Sequence, residues 1–96
     1  MAPQEFERVL GTLPQGYSDG SFSGRRYGLT LRRSEDGRRI TVFARELSGK
    51  DVVSFNFYKT KGGRGILKPC EMSSQKVTEF VIGFMLRSGL PLSKSR

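Results

Sequence analysis

Histidine is absent from this chain, cysteine occurs once, at Cys70, and no apolar run approaches the roughly 20 residues that cross a bilayer. Each absence excludes something. Without imidazole, the catalytic schemes that use histidine as a base are closed, and with one cysteine neither a disulfide framework nor a structural zinc site can form within one chain. No metal and no cofactor is expected. The first ten residues, MAPQEFERVL, lack a long apolar stretch and carry two glutamates, so no secretory signal, no membrane and a cytoplasmic location are expected. A chain of 96 residues has room for one core, burying about 60–65% of its unfolded surface, and a partner chain would help it.

Positive charge is abundant and concentrated. The net charge is +8, and residues 25–68 alone hold twelve Lys and Arg against four Asp and Glu, which accounts for all of it. A surface that faces a polyanion is the physical reading of such a segment.

Alternation organises that same segment. In RRYGLTLRR, Tyr27, Leu29 and Leu31 fall on one side; in RRITVFARE, Ile40, Val42 and Ala44; in DVVSFNFYK, Val53, Phe55 and Phe57. Period two marks half-buried strands, and Asp36-Gly37, Ser48-Gly49 and Gly62-Gly63 supply turns between them, with a fourth strand at Gly65–Lys68. Before the strands, a short helix is expected over residues 3–10, with Phe6, Val9 and Leu10 on one stripe and Gly11 ending it. Residues 14–24, PQGYSDGSFSG, read as a turn-rich connection with room for a short strand at residues 21–23.

Past Pro69 the period becomes 3.6: Val77, Phe80, Val81, Phe84 and Met85 share a stripe, Ser73 or Ser74 is the N-cap and Gly89 the stop, giving a helix over residues 74–88. Ile82 and Leu86 lie on a flank outside that stripe. Either the N-terminal helix covers them or a second copy does, and a homodimer through this helix is expected. A flexible basic tail follows at residues 90–96. The fold class is therefore α+β: one domain over residues 1–96, a four-stranded antiparallel meander at residues 25–68 with the C-terminal amphipathic helix packed on one face, and a short N-terminal helix.

If the helix covers one face, parity assigns the other. It displays Arg26, Arg32, Arg39, Phe43, Arg45 and Tyr58, joined at the hairpin end by Lys59, Lys61, Arg64 and Lys68. Cations that follow phosphates and rings that stack on unpaired bases are the chemistry of single-strand nucleic-acid binding. The Gly62-Gly63 segment, FYKTKGGRGILKP, is not a mononucleotide loop, because a strand and not a Lys-Ser/Thr helix start follows the glycines.

Four antiparallel strands, a basic hairpin reading Arg64-Gly65-Ile66, and one amphipathic helix resemble the positive-cofactor-four family of transcriptional coactivators and their bacterial relatives. The likeness spans residues 25–88. It implies a dimer formed through the helix and a sheet that binds single-stranded DNA. The chain departs from that pattern in a shorter loop between the third and fourth strands and in the insert Pro69-Cys70-Glu71-Met72. The function expected is a small basic module for single-stranded DNA or RNA with little sequence preference; the alternative is a homodimeric interaction or regulatory protein using the same surface for an acidic protein partner. Catalysis is not expected, since no carboxylate pair has acid/base spacing. Cys70, near a helix start but beside Glu71 and without a base, is expected to be a packed apolar group.

Overall fold

The computed structural model describes residues 3–86. The elements are α1 (Pro3–Thr12), β1 (Gly16–Phe22), β2 (Arg25–Arg33), β3 (Arg39–Glu46), β4 (Val52–Lys59), β5 (Gly65–Pro69), α2 (Ser74–Gly83) and β6 (Met85–Leu86). The fold is α+β with an antiparallel sheet and two helices, as the alternation predicts, but the sheet has six strands in the order β5-β4-β3-β2-β1-β6. No described helix is long and apolar enough to cross a membrane.

The inner face is the one parity selects. Tyr27, Leu29, Leu31, Val42, Ala44, Val53, Phe55 and Phe57 are buried there against Phe6 and Leu10 of α1 and Val77, Phe80 and Val81 of α2, followed by Phe84. The Phe6 and Phe80 rings hold the layers together: Phe6 lies 5.9 Å from Phe55, and Phe80 lies 5.0 Å from Tyr27, centroid to centroid. Truncating a buried ring of this kind costs about 3–5 kcal/mol. Helix α1 runs two residues past the expected end because its last carbonyls find a donor, the Arg33 guanidinium, which reaches Leu13 O at 2.9 Å and Gly11 O at 3.4 Å. Helix α2 begins as expected, with Ser73 Oγ accepting the Lys76 N–H at 3.0 Å.

Two expectations fail at the ends of the sheet. Residues 16–22 form a full strand, pairing with β2 from Gly16↔Leu31 to Phe22↔Arg25. Its composition hides it, because the inward positions are Ser18, Gly20 and Phe22, two of them too small to register as an apolar stripe. They are small for a reason. A Cβ on Gly20 would meet the Phe84 ring at 2.8 Å and press on the backbone of Met85.

That close approach explains the second failure. The helix expected to reach residue 88 stops at Gly83, a weak helix former; Phe84 is extended (φ −73°, ψ 130°), and Met85 and Leu86 pair with Ser21 and Gly20 as an edge strand. Met85, expected in the buried stripe, is 68% exposed. Leu86 is not on the helix at all and packs against the core of its own chain, while Ile82 remains half-buried on α2. The apolar helix flank that motivated a dimer is thus reduced to Ile82. The expected stop at Gly89 and the tail at residues 90–96 lie outside the described residues.

The end of the sheet nearest the β3–β4 turn is clasped by charge. The Tyr27 hydroxyl donates to Asp51 Oδ2 at 2.7 Å and Lys76 of α2 donates to Asp51 Oδ1 at 2.6 Å. Arg25 pairs with Glu46 at 3.3 Å, and Glu46 Oε1 accepts the Asp51 N–H at the same distance. The Lys76 and Tyr27 hydrogen bonds hold the Asp51 carboxyl below its ordinary range, and burial, then the bond to Asp51, pushes the Tyr27 hydroxyl well above its own. A carboxylate with a lowered folded-state pKa contributes stability above its unfolded value and loses it as pH falls. A phenol with a raised one loses stability as the unfolded chain ionises, from about pH 10 upward.

Two outcomes follow from this packing. Gly20→Ala should cost about 1–3 kcal/mol in urea unfolding, because overpacking must push β6 off β1; an unchanged midpoint would mean that β6 is not docked there. Asp51→Asn should cost about 1–2 kcal/mol at pH 7, toward the low end because Lys76 is part-exposed, and should flatten the fall in stability from about pH 4 downward. A variant with the wild-type acid profile would show that the clasp contributes nothing.

Candidate nucleic-acid interface

Both helices pack on the inner face, so among the described residues no helix covers the outer face. The register sets its side chains in lines across the strands. One line runs Tyr17 (β1), Thr30 (β2), Phe43 (β3) and Ser54 (β4); the next runs Arg32, Thr41, Asn56 and Lys68; a third sets Arg39 beside Tyr58 and Ile66. Neighbouring strands lie about 4.8 Å apart, and successive outward positions about 7 Å apart along each strand. Rings and cations therefore interleave within one side-chain length.

Phe43 is 47% exposed and Tyr58 half-buried. Tyr17 is 65% exposed and was not foreseen, since its strand was hidden. It lies over Gly28 of β2, where a Cβ would sit 3.0 Å from its ring. A side chain at Gly28 would lift that ring off the sheet. The polar line is partly satisfied from within: the Thr41 hydroxyl donates to Asn56 Oδ1 at 2.7 Å, which leaves the Asn56 amide N–H₂ turned outward as a donor.

The expected cations divide into three groups. Arg32, Arg39, Arg45 and Lys68 are exposed on the outer face and form no ion pair among the described residues. Lys61 and Arg64 stand exposed at the tip of the β4–β5 hairpin, where Thr60 N–H donates to Arg64 O, Gly63 N–H to Thr60 O and Arg64 N–H to Thr60 Oγ1, at 2.9, 2.9 and 3.1 Å. Gly63 takes φ +86°, the left-handed position that such a short loop reserves for glycine. Arg26 is on the outer face but bridged to Asp19 of β1 at 3.6 Å, so part of its charge is already balanced.

Lys59 is a correction. It shares the parity of Phe57, lies on the helix side of the sheet and pairs with Glu7 of α1. The hairpin expectation grouped it with Lys61 by proximity in sequence, whereas strand alternation sends the two to different surroundings. Cys70 is a second correction. It is exposed, not packed, and its N–H donates to Ser54 O at 2.9 Å, which continues the β4–β5 register and sets it at the end of the line that holds Phe43. Glu71 takes a left-handed φ of 61° in the turn that leads from β5 to α2.

Comparison with protein-family models, with curated proteins and with solved structures gave no match.

An exposed thiol should react with a water-soluble alkylating reagent in the native protein at close to the rate seen in denaturant, and Cys70→Ala should cost well under 1 kcal/mol, as substitutions on the surface do. Protection of Cys70 until global unfolding would restore the packed reading.

Proposed function

We propose that the outer sheet face binds single-stranded DNA or RNA with little sequence preference. The observation that carries this reading is the juxtaposition of three part-exposed rings, Tyr17, Phe43 and Tyr58, with the unpaired cations Arg32, Arg39, Arg45 and Lys68 on one uncovered face. Stacking on rings is tolerant of base identity because every base has a π-face, and it contributes about 1–3 kcal/mol per base. Cations supply the affinity that depends on salt. A duplex offers its bases edge-on within grooves, so rings lying on a sheet favour an unpaired strand.

The resemblance to the positive-cofactor-four family would imply the same use of the sheet, but β1 and β6 extend this sheet beyond that four-stranded pattern. Lys61 and Arg64, at the hairpin tip, extend the cationic surface past the sheet edge. A homodimer through α2 rests on Ile82 alone and is the weaker part of the likeness. The reading fits a cytoplasmic protein that meets nucleic acid directly.

The two kinds of contact separate in a salt titration. Arg39→Ala or Arg45→Ala should flatten the slope of log K against log salt by about 0.7 per cation. Phe43→Ala or Tyr17→Ala should weaken binding by about 1–3 kcal/mol and leave the slope nearly unchanged, since stacking releases no counterions. Heparin has charge but no bases. If it competes as well as an oligonucleotide of equal charge, and the ring variants bind both as the wild type does, the face is a general polyanion surface and an acidic protein partner becomes the better reading.

A further inference from the structure

At one corner of the outer face lies an open concavity of about 290 Å³ lined by Gln15, Arg32, Arg33, Ser34, Arg39 and Thr41. Three elements build it: the approach to β1, the end of β2 and the start of β3. It borders the β2–β3 turn, where Ser34 N–H donates to Arg39 O at 2.9 Å. On the near side the Thr41 position leads directly to the line that holds Phe43 and Tyr17.

The polar groups around it have been sorted by the fold. Ser34 Oγ donates to Asp36 Oδ1 at 2.7 Å and accepts the Arg39 N–H at 3.0 Å; Thr41 Oγ1 donates to Asn56. The turn carries two carboxylates, Glu35 and Asp36, neither of which lines the concavity, and Asp36 accepts both Ser34 Oγ–H and the Arg38 N–H through Oδ1. Gln15 Oε1 accepts the Arg33 N–H at 3.0 Å, and the Gln15 amide N–H₂ donates to no group among the described residues. The Arg33 guanidinium is spent on α1. The groups left over are donors: the guanidinium groups of Arg32 and Arg39, which sit diagonally on neighbouring strands, and the Gln15 amide. Diagonal outward positions are about 7–8 Å apart, a span that two arginines can close around one phosphate.

We infer that this concavity is a subsite for the terminal phosphomonoester of a single strand, seated beside the aromatic line at the β2–β3 turn end of the sheet. An internal phosphodiester carries one negative charge; a monoester carries between 1.5 and 2 at pH 7, roughly, and a third oxygen free to accept. Two guanidinium groups beside an amide donor match the monoester in charge and in acceptor count. Strands β2 and β3 end here, at Arg33 and Arg39, so a chain following them toward the turn runs out of sheet at this point, which suits a strand end. The inference rests on the reading of the outer face as a nucleic-acid surface and adds to it a preference for strand ends.

The test compares oligothymidylates of equal length ending in hydroxyl, in 5′-phosphate and in 3′-phosphate, together with a hydroxyl-ended one longer by a nucleotide, which controls for added charge. At matched ionic strength one phosphorylated oligonucleotide, or both, should bind about tenfold more tightly than the longer control, the yield of one further charge-assisted hydrogen bond. Inorganic phosphate should compete away that advantage and no more. The Arg32→Gln/Arg39→Gln variant should bring the ratio to about one, whereas Arg45→Gln should weaken all the oligonucleotides and leave the ratio intact. Equal binding of phosphorylated and control oligonucleotides to the wild type overturns the subsite and leaves the sheet reading standing. Failure of every oligonucleotide to bind overturns both.

Discussion

Everything on the outer face depends on how the inner one is covered. Leu29, Leu31, Val42, Val53 and Phe55 alternate with polar neighbours along three strands, so removing them from water commits every intervening residue to the opposite side. Helices α1 and α2 supply the cover with Phe6, Leu10, Val77, Phe80 and Val81. A register slip of one residue in β3 would bury Arg39, Thr41, Phe43 and Arg45 and expose Ile40, Val42 and Ala44. The burial of two unpaired arginines, Arg39 and Arg45, forbids that slip, and so fixes which face holds the cations.

The same constraint sets the ends of the sheet. Gly20 lets Phe84 and Met85 pass close over β1, so α2 yields to an extended segment that pairs with it. β1 itself is held by its seven-residue pairing with β2, to which β6 adds two residues on the other edge, and β1 brings Tyr17 across Gly28 to complete the ring line with Phe43.

Much of this was legible in the sequence, and the failures share a cause. Alternation identified β2, β3 and β4 because their inward residues are large and apolar, and the 3.6 period identified the start of α2 through Val77, Phe80 and Val81. β1 is not legible because tertiary packing, not propensity, makes it a strand: Gly20 is small to admit Phe84, and a Gly/Ser-rich segment looks like a loop until its neighbour is known. Met85 and Leu86 fit a helical stripe equally well, and only the pairing partner that had been missed could show that they are extended. Parity correctly assigned Arg32, Arg39, Phe43, Arg45 and Tyr58 to the outer face. It failed for Lys59 only where proximity to the Gly62-Gly63 turn was allowed to override it. Cys70 was misjudged because a lone cysteine is commonly buried, whereas this one follows a proline at the end of an edge strand.

The uncovered face therefore combines rings, unpaired cations and a corner of donors within one rigid register, and the central claim is that unpaired bases stack upon it. The most direct measurement is an NMR titration with an unstructured oligonucleotide, following ring and backbone resonances together. The account predicts upfield movement of the Tyr17, Phe43 and Tyr58 ring protons, with amide shifts along Thr30, Thr41 and Asn56, while Val77, Phe80 and Val81 stay in place. Shifts confined to Lys61, Arg64 and other cations, with the three rings unmoved, would contradict it.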